Sequence, residues 1–259
     1  MTEHSIFKGQ QSGSSRLVER FDSEPFALVF AGQGFDWLKT LRASVAQGAG
    51  KTLEPIVAEA AQRLIPISDV LAVARPFGFK PLEWAEQDEN AGVDTSQAAI
   101  SVPGILTSQL ATLDLLESQG LDVDKAAAVI GHSQGVLGVH SVRDLTRAAE
   151  ILAIAEIIGA VIGHQARVTG LVARGGAAPM VSIDGITCEQ LEGAIAAACS
   201  KTDKEIRPVV GLKNSRTNFV LVGRPKDNES VLNILRSQAA ADAREVEAKK
   251  RGALLLIQR

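Results

Sequence analysis

The chain has 259 residues, of which 46% are hydrophobic, enough for the core of one large α/β domain or of a large domain joined to a smaller one. Its 27 lysines and arginines against 30 aspartates and glutamates, with no dense basic stripe, argue against a nucleic-acid or membrane-surface partner. No apolar signal segment opens the chain, and two cysteines are too few for a disulfide framework or a thiolate metal site, so we expect a cytoplasmic protein without a bound metal.

The first part of the chain alternates strand and helix patterns. Residues 1–22 are polar and rich in glycine and serine, which predicts a flexible N-terminal arm. Pro25–Ala31 is a short continuous apolar run that ends in a glycine-rich turn, as in a buried parallel strand. Ala98–Gln119 has helical periodicity and is followed by a glycine stop. Strands alternating with helices predict a parallel, helix-covered sheet, which we assign to residues 23–176.

Ile151–Gly163 is the longest apolar stretch of the chain, and it includes a glutamate. It falls short of the ~20 residues that a membrane-spanning helix needs. We therefore expect no membrane partner, and an ordinary core helix in this position.

The pattern changes over residues 177–252, where short strands and two helices follow one another. The order β-α-β-β-α-β is that of a ferredoxin-like unit, a compact module that can be inserted into a larger domain. Residues 253–259 contain a possible last strand. The predicted elements are strands at Met180–Ile183, Pro208–Leu212, Asn218–Val222 and Leu254–Ile257, and helices at Cys188–Ala198 and Glu229–Lys250.

The most informative motif is Gly131-His132-Ser133-Gln134-Gly135, which follows the apolar run Ala126–Ile130 and opens a helical pattern. A G-x-S-x-G sequence at such a strand-to-helix turn is a nucleophile elbow. The serine hydroxyl projects clear of the backbone, and the next N–H faces the oxygen that becomes anionic when an acyl carbonyl is attacked. The pattern arises easily by chance in a chain with 23 glycines, so its strand and helix context carries the prediction that Ser133 is a nucleophile.

A serine nucleophile needs a histidine base, and the chain has four histidines. His4 lies in the predicted arm, and His132 adjoins the nucleophile on a turn where neighbouring side chains diverge. His140 lies about 10.5 Å from Ser133 along a helix axis, beyond hydrogen-bond reach. His164 is predicted to end a helix, where a histidine complements the C-terminal dipole. None of the four is well placed as the base.

Together these pieces resemble the acyl-carrier-protein acyltransferase family, and most closely the acetyl-transferase domain at the start of bacterial and fungal type I fatty acid synthases. Gln134, in place of the more usual leucine, and the apolar Val136-Leu137, where malonyl transferases usually carry glutamate, are typical of the type I branch. The other motifs that carry the resemblance are Phe30-Ala31-Gly32-Gln33-Gly34 with Trp37-Leu38, Ala98 and Pro103, and Asn214-Ser215-Arg216 before Phe219–Gly223.

The resemblance implies a hydrolase-like parallel sheet with helices on both faces and an inserted ferredoxin-like subdomain that covers the cleft. Ser133 would accept an acyl group from CoA and pass it to a phosphopantetheine thiol. The backbone N–H groups of Gln33 and Gln134 would form the oxyanion hole. For Gln33 an alternative stays open, in which the turn needs Gly32 and Gly34 only for positive φ.

The same resemblance implies the partners. The domain itself would bind no cofactor, with acetyl-CoA as its substrate and an acyl carrier domain as its acceptor. The parent synthase would use NADPH and FMN in its other domains and assemble as a homo-oligomer, a hexamer in the family.

Acyl selectivity depends on one position of the helix after the elbow. Malonyl-specific relatives carry an arginine there, followed by glycine, and this arginine pairs with the free carboxylate of the substrate. Here Ile158-Gly159 lies 25 positions after Ser133. Burying an unpaired carboxylate costs several kcal/mol, so we expect a short neutral acyl group, most simply acetyl. If the register differs by a turn, Ile154 or Ile162 takes the position and the conclusion is the same.

In the type I synthases the base histidine follows a basic Arg-Gly stretch that Lys249–Gly252 resembles. Here Ala253–Arg259 resembles a strand that comes well after that histidine in the family. Either a loop is omitted between Gly252 and Ala253, or the chain is cut short and its last strand belongs to the small subdomain. In both cases we expect the base to be absent from this chain and the chain alone to be nearly inactive. Two alternatives remain: a serine esterase or thioesterase, which needs an acid and then a histidine downstream of the serine, and a non-catalytic scaffold piece of a larger synthase.

Overall fold

The structure is a computed structural model that describes residues 21, 24–87, 93–142, 145–169, 179–200 and 207–248. The chain divides into two compact units, Met1–His164 and Gln165–Arg259. The predicted boundary between residues 176 and 177 lies outside the described residues.

The first unit combines two strands with several helices. Its strands are β1 (Ala27–Phe30) and β2 (Ala128–Gly131), and its helices are α1 (Trp37–Val45), α2 (Gly50–Leu64), α3 (Ser68–Ala74), α4 (Pro81–Glu86), α5 (Ala98–Ser118), α6 (Val136–Ser141) and α7 (Leu145–Val168). The sequence predicts α5 but gives no prediction for α2, α3 and α4. Helix α7 continues from the first unit into the first residues of the second.

Strands β1 and β2 pair in parallel, with Val29 opposite Ile130 and Phe30 opposite Gly131. One face of the pair packs into an apolar cluster that includes Phe30 and, from the end of α5, Leu113. On the other face Val29 is 67% exposed and Ile130 is 52% exposed. A parallel strand pair separated by helices is the predicted α/β arrangement.

Helix α5 is the centre of the first unit. It is apolar around most of its circumference, which is typical of a helix surrounded by other elements. By length and composition alone it could cross a membrane, but most of its residues are buried inside the protein. Its contacts with α1, α2 and α6 make it a core helix.

The second unit is a small α+β module. Its elements are β3 (Met180–Asp184), α8 (Cys188–Cys199), β4 (Val209–Lys213), β5 (Asn218–Val222) and α9 (Pro225–Ala248). The strands form an antiparallel sheet in the order β3-β5-β4. A capping box starts α8, with the Thr187 hydroxyl accepting from the Gln190 N–H and the Gln190 side chain accepting from the Thr187 N–H.

These five elements follow the order and pairing of the predicted ferredoxin-like unit as far as its fifth element. Helix α9 begins at Pro225, four residues before the predicted start at Glu229, because proline is well suited to the first turn of a helix. The predicted last strand, Leu254–Ile257, lies outside the described residues.

Candidate active site

The turn after β2 has the backbone of a nucleophile elbow. Among the residues that the structure describes, Ser133 is the one non-glycine residue with a positive φ, +53°. A β-carbon in this left-handed region costs roughly 1–2 kcal/mol, so surrounding contacts must impose the conformation. Ser133–Gly135 forms a 3₁₀ turn that leads directly into α6, and the Ser133 side chain is exposed. The predicted sequence of strand, sharp turn and helix is therefore present.

The two glycines of the motif allow the elbow to pack against its surroundings. A β-carbon on Gly131 would lie 2.6 Å from the Gly135 carbonyl oxygen, and one on Gly135 would overlap the Phe30 carbonyl oxygen. The His132 N–H also donates to the Phe30 carbonyl, at 3.0 Å. Close contact with the end of β1 therefore fixes the turn.

The loop after β1 lies against the same serine. A β-carbon on Gly32 would be 3.5 Å from Ser133 Oγ and 3.0 Å from the Ser133 β-carbon. Gly34 has a φ of +122°, whereas Gly32 does not have a positive φ. Gly32 is thus required by close approach to the elbow and Gly34 by its backbone conformation. The alternative interpretation of the turn around Gln33 required a positive φ at both glycines, and only Gly34 has one.

This arrangement brings the two predicted oxyanion donors to the two turns beside the hydroxyl. Gln134 immediately follows Ser133, and Gln33 lies between the two glycines of the neighbouring loop. Among the described loop and turn hydrogen bonds, none uses the backbone N–H of Gln33 or Gln134. Both N–H groups are therefore available to a ligand oxygen.

Ile158 lies on α7 beside Gly159, which contacts the same part of α5 as the elbow does. Its neighbour Gly159 packs so tightly on α5 that a β-carbon there would lie 2.5 Å from the Ala98 carbonyl oxygen and 3.2 Å from the Val102 β-carbon. The Val102 carbonyl oxygen accepts a hydrogen bond from Gln134 Nε2 at 2.6 Å. Val102 is thus a common neighbour of the elbow and of the α7 segment that carries Ile158.

The α7 side chains considered for the acyl pocket are all apolar and partly exposed. Ile158 is 38% exposed, Ile154 44% and Ile162 48%. None of them offers a charge to a substrate carboxylate, whichever of the three occupies the arginine position of malonyl-specific relatives.

None of the described histidines is hydrogen-bonded to the Ser133 hydroxyl. His132, His140 and His164 are exposed, and in the described part of the chain no hydrogen bond joins any of them to the Ser133 hydroxyl. The prediction that His164 ends a helix is wrong, because α7 continues for four more residues to Val168. His4 and the segment after residue 248 lie outside the described residues, so the predicted absence of the base stays a prediction.

Sequence reasoning missed Gln109, a residue of α5 that reaches the site. Its Nε2 donates to the Ala31 carbonyl oxygen at 2.6 Å, two residues before Gln33. The signal available in the sequence was an amide side chain within a helix of mainly apolar residues.

A buried ion pair joins Arg75, which follows α3, to Glu156 of α7, the helix that carries Ile158. Arg75 Nη2 donates to Glu156 Oε2, and both side chains are more than nine-tenths buried. Burial raises the pKa of Glu156, and the neighbouring Arg75 only partly opposes this effect. Among the described residues, no group of three His, Cys, Asp or Glu side chains is arranged to hold a metal ion.

A parallel α/β core with an elbow, followed by a small antiparallel module, defines the class of acyl-carrier-protein transacylase folds. Residues 179–255 match the family model of the Fatty acid synthase central AT domain. This match and the structural similarities described next confirm the resemblance to the acyl-carrier-protein acyltransferases. No curated protein matches the sequence.

Solved structures of malonyl transferases have the same fold. A malonyl-CoA:acyl carrier protein transacylase from Xanthomonas oryzae is 20% identical, with a TM-score of 0.54 over 82% of this chain and 58% of that chain. An acyl-carrier-protein S-malonyltransferase from Burkholderia pseudomallei is 18% identical, with a TM-score of 0.53 over 83% of this chain and 60% of that chain. A malonyl-transacylase in complex with its type II polyketide synthase acyl-carrier protein is 20% identical, with a TM-score of 0.50 over 83% and 60%.

These similarities confirm the predicted α/β fold class. The chain spans about 60% of the length of the transferases that it matches.

Proposed function

We propose that this chain carries the nucleophile and oxyanion hole of an acyltransferase that moves a short acyl group, most simply acetyl, from CoA to an acyl carrier protein. The observation that carries the proposal is the left-handed Ser133 on a strand-to-helix turn, with the Gly32 loop packed against its hydroxyl. A serine held in this strained, exposed position is the arrangement that nucleophilic acyl transfer needs.

In the first half-reaction the Ser133 oxygen attacks the thioester carbonyl, and its proton passes to a base. The carbonyl oxygen becomes an oxyanion, which accepts hydrogen bonds from the backbone N–H groups of Gln33 and Gln134. Collapse of the tetrahedral intermediate breaks the C–S bond, and CoA leaves as its thiol after taking up the proton. The product is an ester on Ser133.

In the second half-reaction the phosphopantetheine thiol of the carrier attacks this ester. The same N–H groups stabilise the second oxyanion, and Ser133 recovers its proton when the acyl group departs as a new thioester. The resemblance places the base histidine beyond Gly252. The malonyl-transacylase solved with its acyl-carrier protein has the same fold, which supports a carrier as the partner of this chain.

The acyl group that we propose differs from that of the transferases whose structures this chain resembles. Those proteins are named for malonyl, a substrate with a free carboxylate. Ile158 and its neighbours Ile154 and Ile162 present only hydrocarbon. A carboxylate that loses its hydration without gaining an ionic partner is destabilised, so we propose that acetyl is loaded in preference to malonyl.

The wider setting follows from the family resemblance. We propose a cytoplasmic fatty acid synthase in which this acyl transfer primes synthesis, and in which NADPH and FMN act in other domains of a homo-oligomer. The domain itself uses acetyl-CoA as substrate and needs no cofactor for the two steps above.

The test is acyl loading of the full-length polypeptide by acetyl-CoA, followed by mass spectrometry of the intact protein and of its peptides. We expect one acetyl group on Ser133, and none in Ser133→Ala. Ser118→Ala, which removes an exposed hydroxyl at the end of α5, is the matched control and keeps the label. Acetylation at another residue with Ser133 unmodified would contradict the assignment.

The same assay separates the alternatives. A thioesterase would release free acetate at a rate that does not depend on the carrier protein, whereas a transferase delivers acetyl to the carrier. A scaffold without activity would give no label at Ser133 and no carrier-bound acetyl.

A further inference from the structure

Helix α5 is hydrogen-bonded to both turns of the candidate site through glutamine side chains. From the helix, Gln109 Nε2 donates to the Ala31 carbonyl oxygen of the loop after β1, at 2.6 Å. From the elbow, Gln134 Nε2 donates to the Val102 carbonyl oxygen of the helix, also at 2.6 Å. One rigid element therefore contacts the two short segments that carry the oxyanion donors.

We propose that the side-chain amides of Gln109 and Gln134 are positioning groups that fix the separation of the Gln33 and Gln134 N–H groups. This inference rests on the proposed function, because it concerns the oxyanion hole of the same acyl transfer. It assigns a role to two side chains, whereas the proposed function uses only the backbone of residue 134.

The geometry needs such support on the Gln33 side. Gln33 lies between Gly32 and Gly34, and glycines restrict the backbone least. The hydrogen bond from Gln109 fixes the Ala31 carbonyl two residues earlier, which limits the directions in which the Gln33 N–H can point. Oxyanion donors act only within about 2.7–3.1 Å of the developing charge, so small shifts of this loop matter.

At the elbow, Gln134 lowers the stability of the fold, and this argues for a role of its side chain in the reaction. Gln134 Oε1 is buried and has no hydrogen-bond partner. An unsatisfied buried acceptor lowers stability, and an apolar side chain of the same size would avoid this loss. Gln134 thus reduces stability through Oε1 while its Nε2 holds the elbow on α5. Residues that leave a buried polar atom without a hydrogen-bond partner are expected at functional sites.

The experiment measures single-turnover acylation of Ser133 by acetyl-CoA in the full-length polypeptide. The variants are Gln109→Met and Gln134→Met, which keep the length of the side chain and all backbone N–H groups. Gln47→Met is the control, because Gln47 Nε2 also donates to a backbone carbonyl, that of Ala43 at 3.0 Å, in an exposed turn.

We expect the maximum acylation rate to fall between about tenfold and a hundredfold in each site variant, as misplaced donors predict. The acetyl-CoA concentration at half-saturation should stay within about twofold, because the amides do not touch the substrate. Gln134→Met should melt at or above the temperature of the unmodified protein, since it removes the buried acceptor. Gln47→Met should acylate at the unmodified rate.

A pH series gives an independent test that does not depend on the folding of the methionine variants. In Gln109→Glu the carboxylate cannot donate to the Ala31 carbonyl, but the neutral acid can. Its acylation rate relative to the unmodified protein should therefore rise as the pH falls from about 8 to about 5. A ratio that is constant with pH would count against the hydrogen bond as the cause.

The outcomes separate the two proposals. If the unmodified protein forms no acyl-Ser133, the proposed function fails. If it loads normally and both methionine variants load at the same rate, the positioning role alone is overturned. A changed half-saturation concentration with an unchanged maximum rate would also overturn it, because the glutamines would then serve substrate binding.

Discussion

Gly135 lies so close to Phe30 that a β-carbon at position 135 would overlap the Phe30 carbonyl oxygen. The contact joins the turn after β2 to the end of β1, so it holds the elbow in place on the parallel strand pair. Because the obstacle is backbone, it cannot move aside as the end of a flexible side chain could.

This contact predicts that Gly135→Ala destabilises the protein by at least about 1–3 kcal/mol, as overpacking in a tight site does, and abolishes acylation of Ser133. Urea unfolding and acetyl loading measure the two effects. Gly193→Ala in α8 is the control, because a β-carbon there meets no atom within 4 Å, and it should raise stability by about 0.5–1 kcal/mol. Normal loading by Gly135→Ala would show that the elbow tolerates displacement from β1.

The left-handed backbone of Ser133 predicts which of two inactive variants at this position is the more stable. Glycine adopts positive φ without a β-carbon penalty, so Ser133→Gly should be more stable than Ser133→Ala by about 1 kcal/mol, while both variants lose acyl loading. Ser237, an exposed residue inside α9, gives the reverse order, with glycine about 1 kcal/mol less stable than alanine. Equal stabilities of the two Ser133 variants would mean that the turn relaxes when the hydroxyl is removed.

The elbow could be predicted from sequence because its parts are adjacent in the chain. An apolar run, a glycine on each side of Ser133 and a following helix together define the turn. The order of β3, α8, β4, β5 and α9 was equally accessible, because strand and helix periods alternate there without interruption. Local pattern was sufficient in both cases.

What the sequence could not show are contacts between distant residues. Gln109 and Ala31 are 78 positions apart, and no local pattern marks an amide that bonds a remote carbonyl. Arg75 and Glu156 are 81 positions apart, and their ion pair depends on how the residues after α3 pack on α7. The end of α7 was misplaced at His164 because the continuous apolar run stops before it, although the helix continues with alternating polar and apolar residues to Val168.

The hydrocarbon surface of α7 predicts how acyl selectivity can be changed. Ile158→Arg should raise malonyl loading and lower acetyl loading, because a guanidinium at this position can pair with the malonyl carboxylate. Competition of the two CoA thioesters in one reaction gives the ratio directly. Ile157→Arg is the matched control, since Ile157 is also 38% exposed but lies about 100° away around the helix, and its ratio should not change. Equal loading of acetyl and malonyl by the unmodified protein would contradict the pocket argument.

The Arg75–Glu156 pair predicts a stability that depends on pH. Burial raises the pKa of Glu156 above the ordinary value of about 4.3, so the folded state keeps this proton to higher pH than the unfolded state does. The free energy of unfolding that this group contributes therefore falls as the pH rises from about 4.3 through the folded pKa. Ionised Glu156 therefore contributes less to the free energy of unfolding than the neutral acid does at lower pH, even with Arg75 beside it.

Glu156→Gln, which keeps the shape and one acceptor for Arg75, should gain stability relative to the unmodified protein as the pH rises through the folded pKa of Glu156. Urea unfolding across this pH range gives the difference. Glu150→Gln is the control, because Glu150 lies at the surface of α7, where it pairs with Arg63 of α2. Loss of this exposed ion pair should change stability by less than about 0.5 kcal/mol at any pH. If Glu156→Gln instead becomes progressively less stable than the unmodified protein as the pH rises, attraction to Arg75 outweighs desolvation and the pKa of Glu156 is lowered.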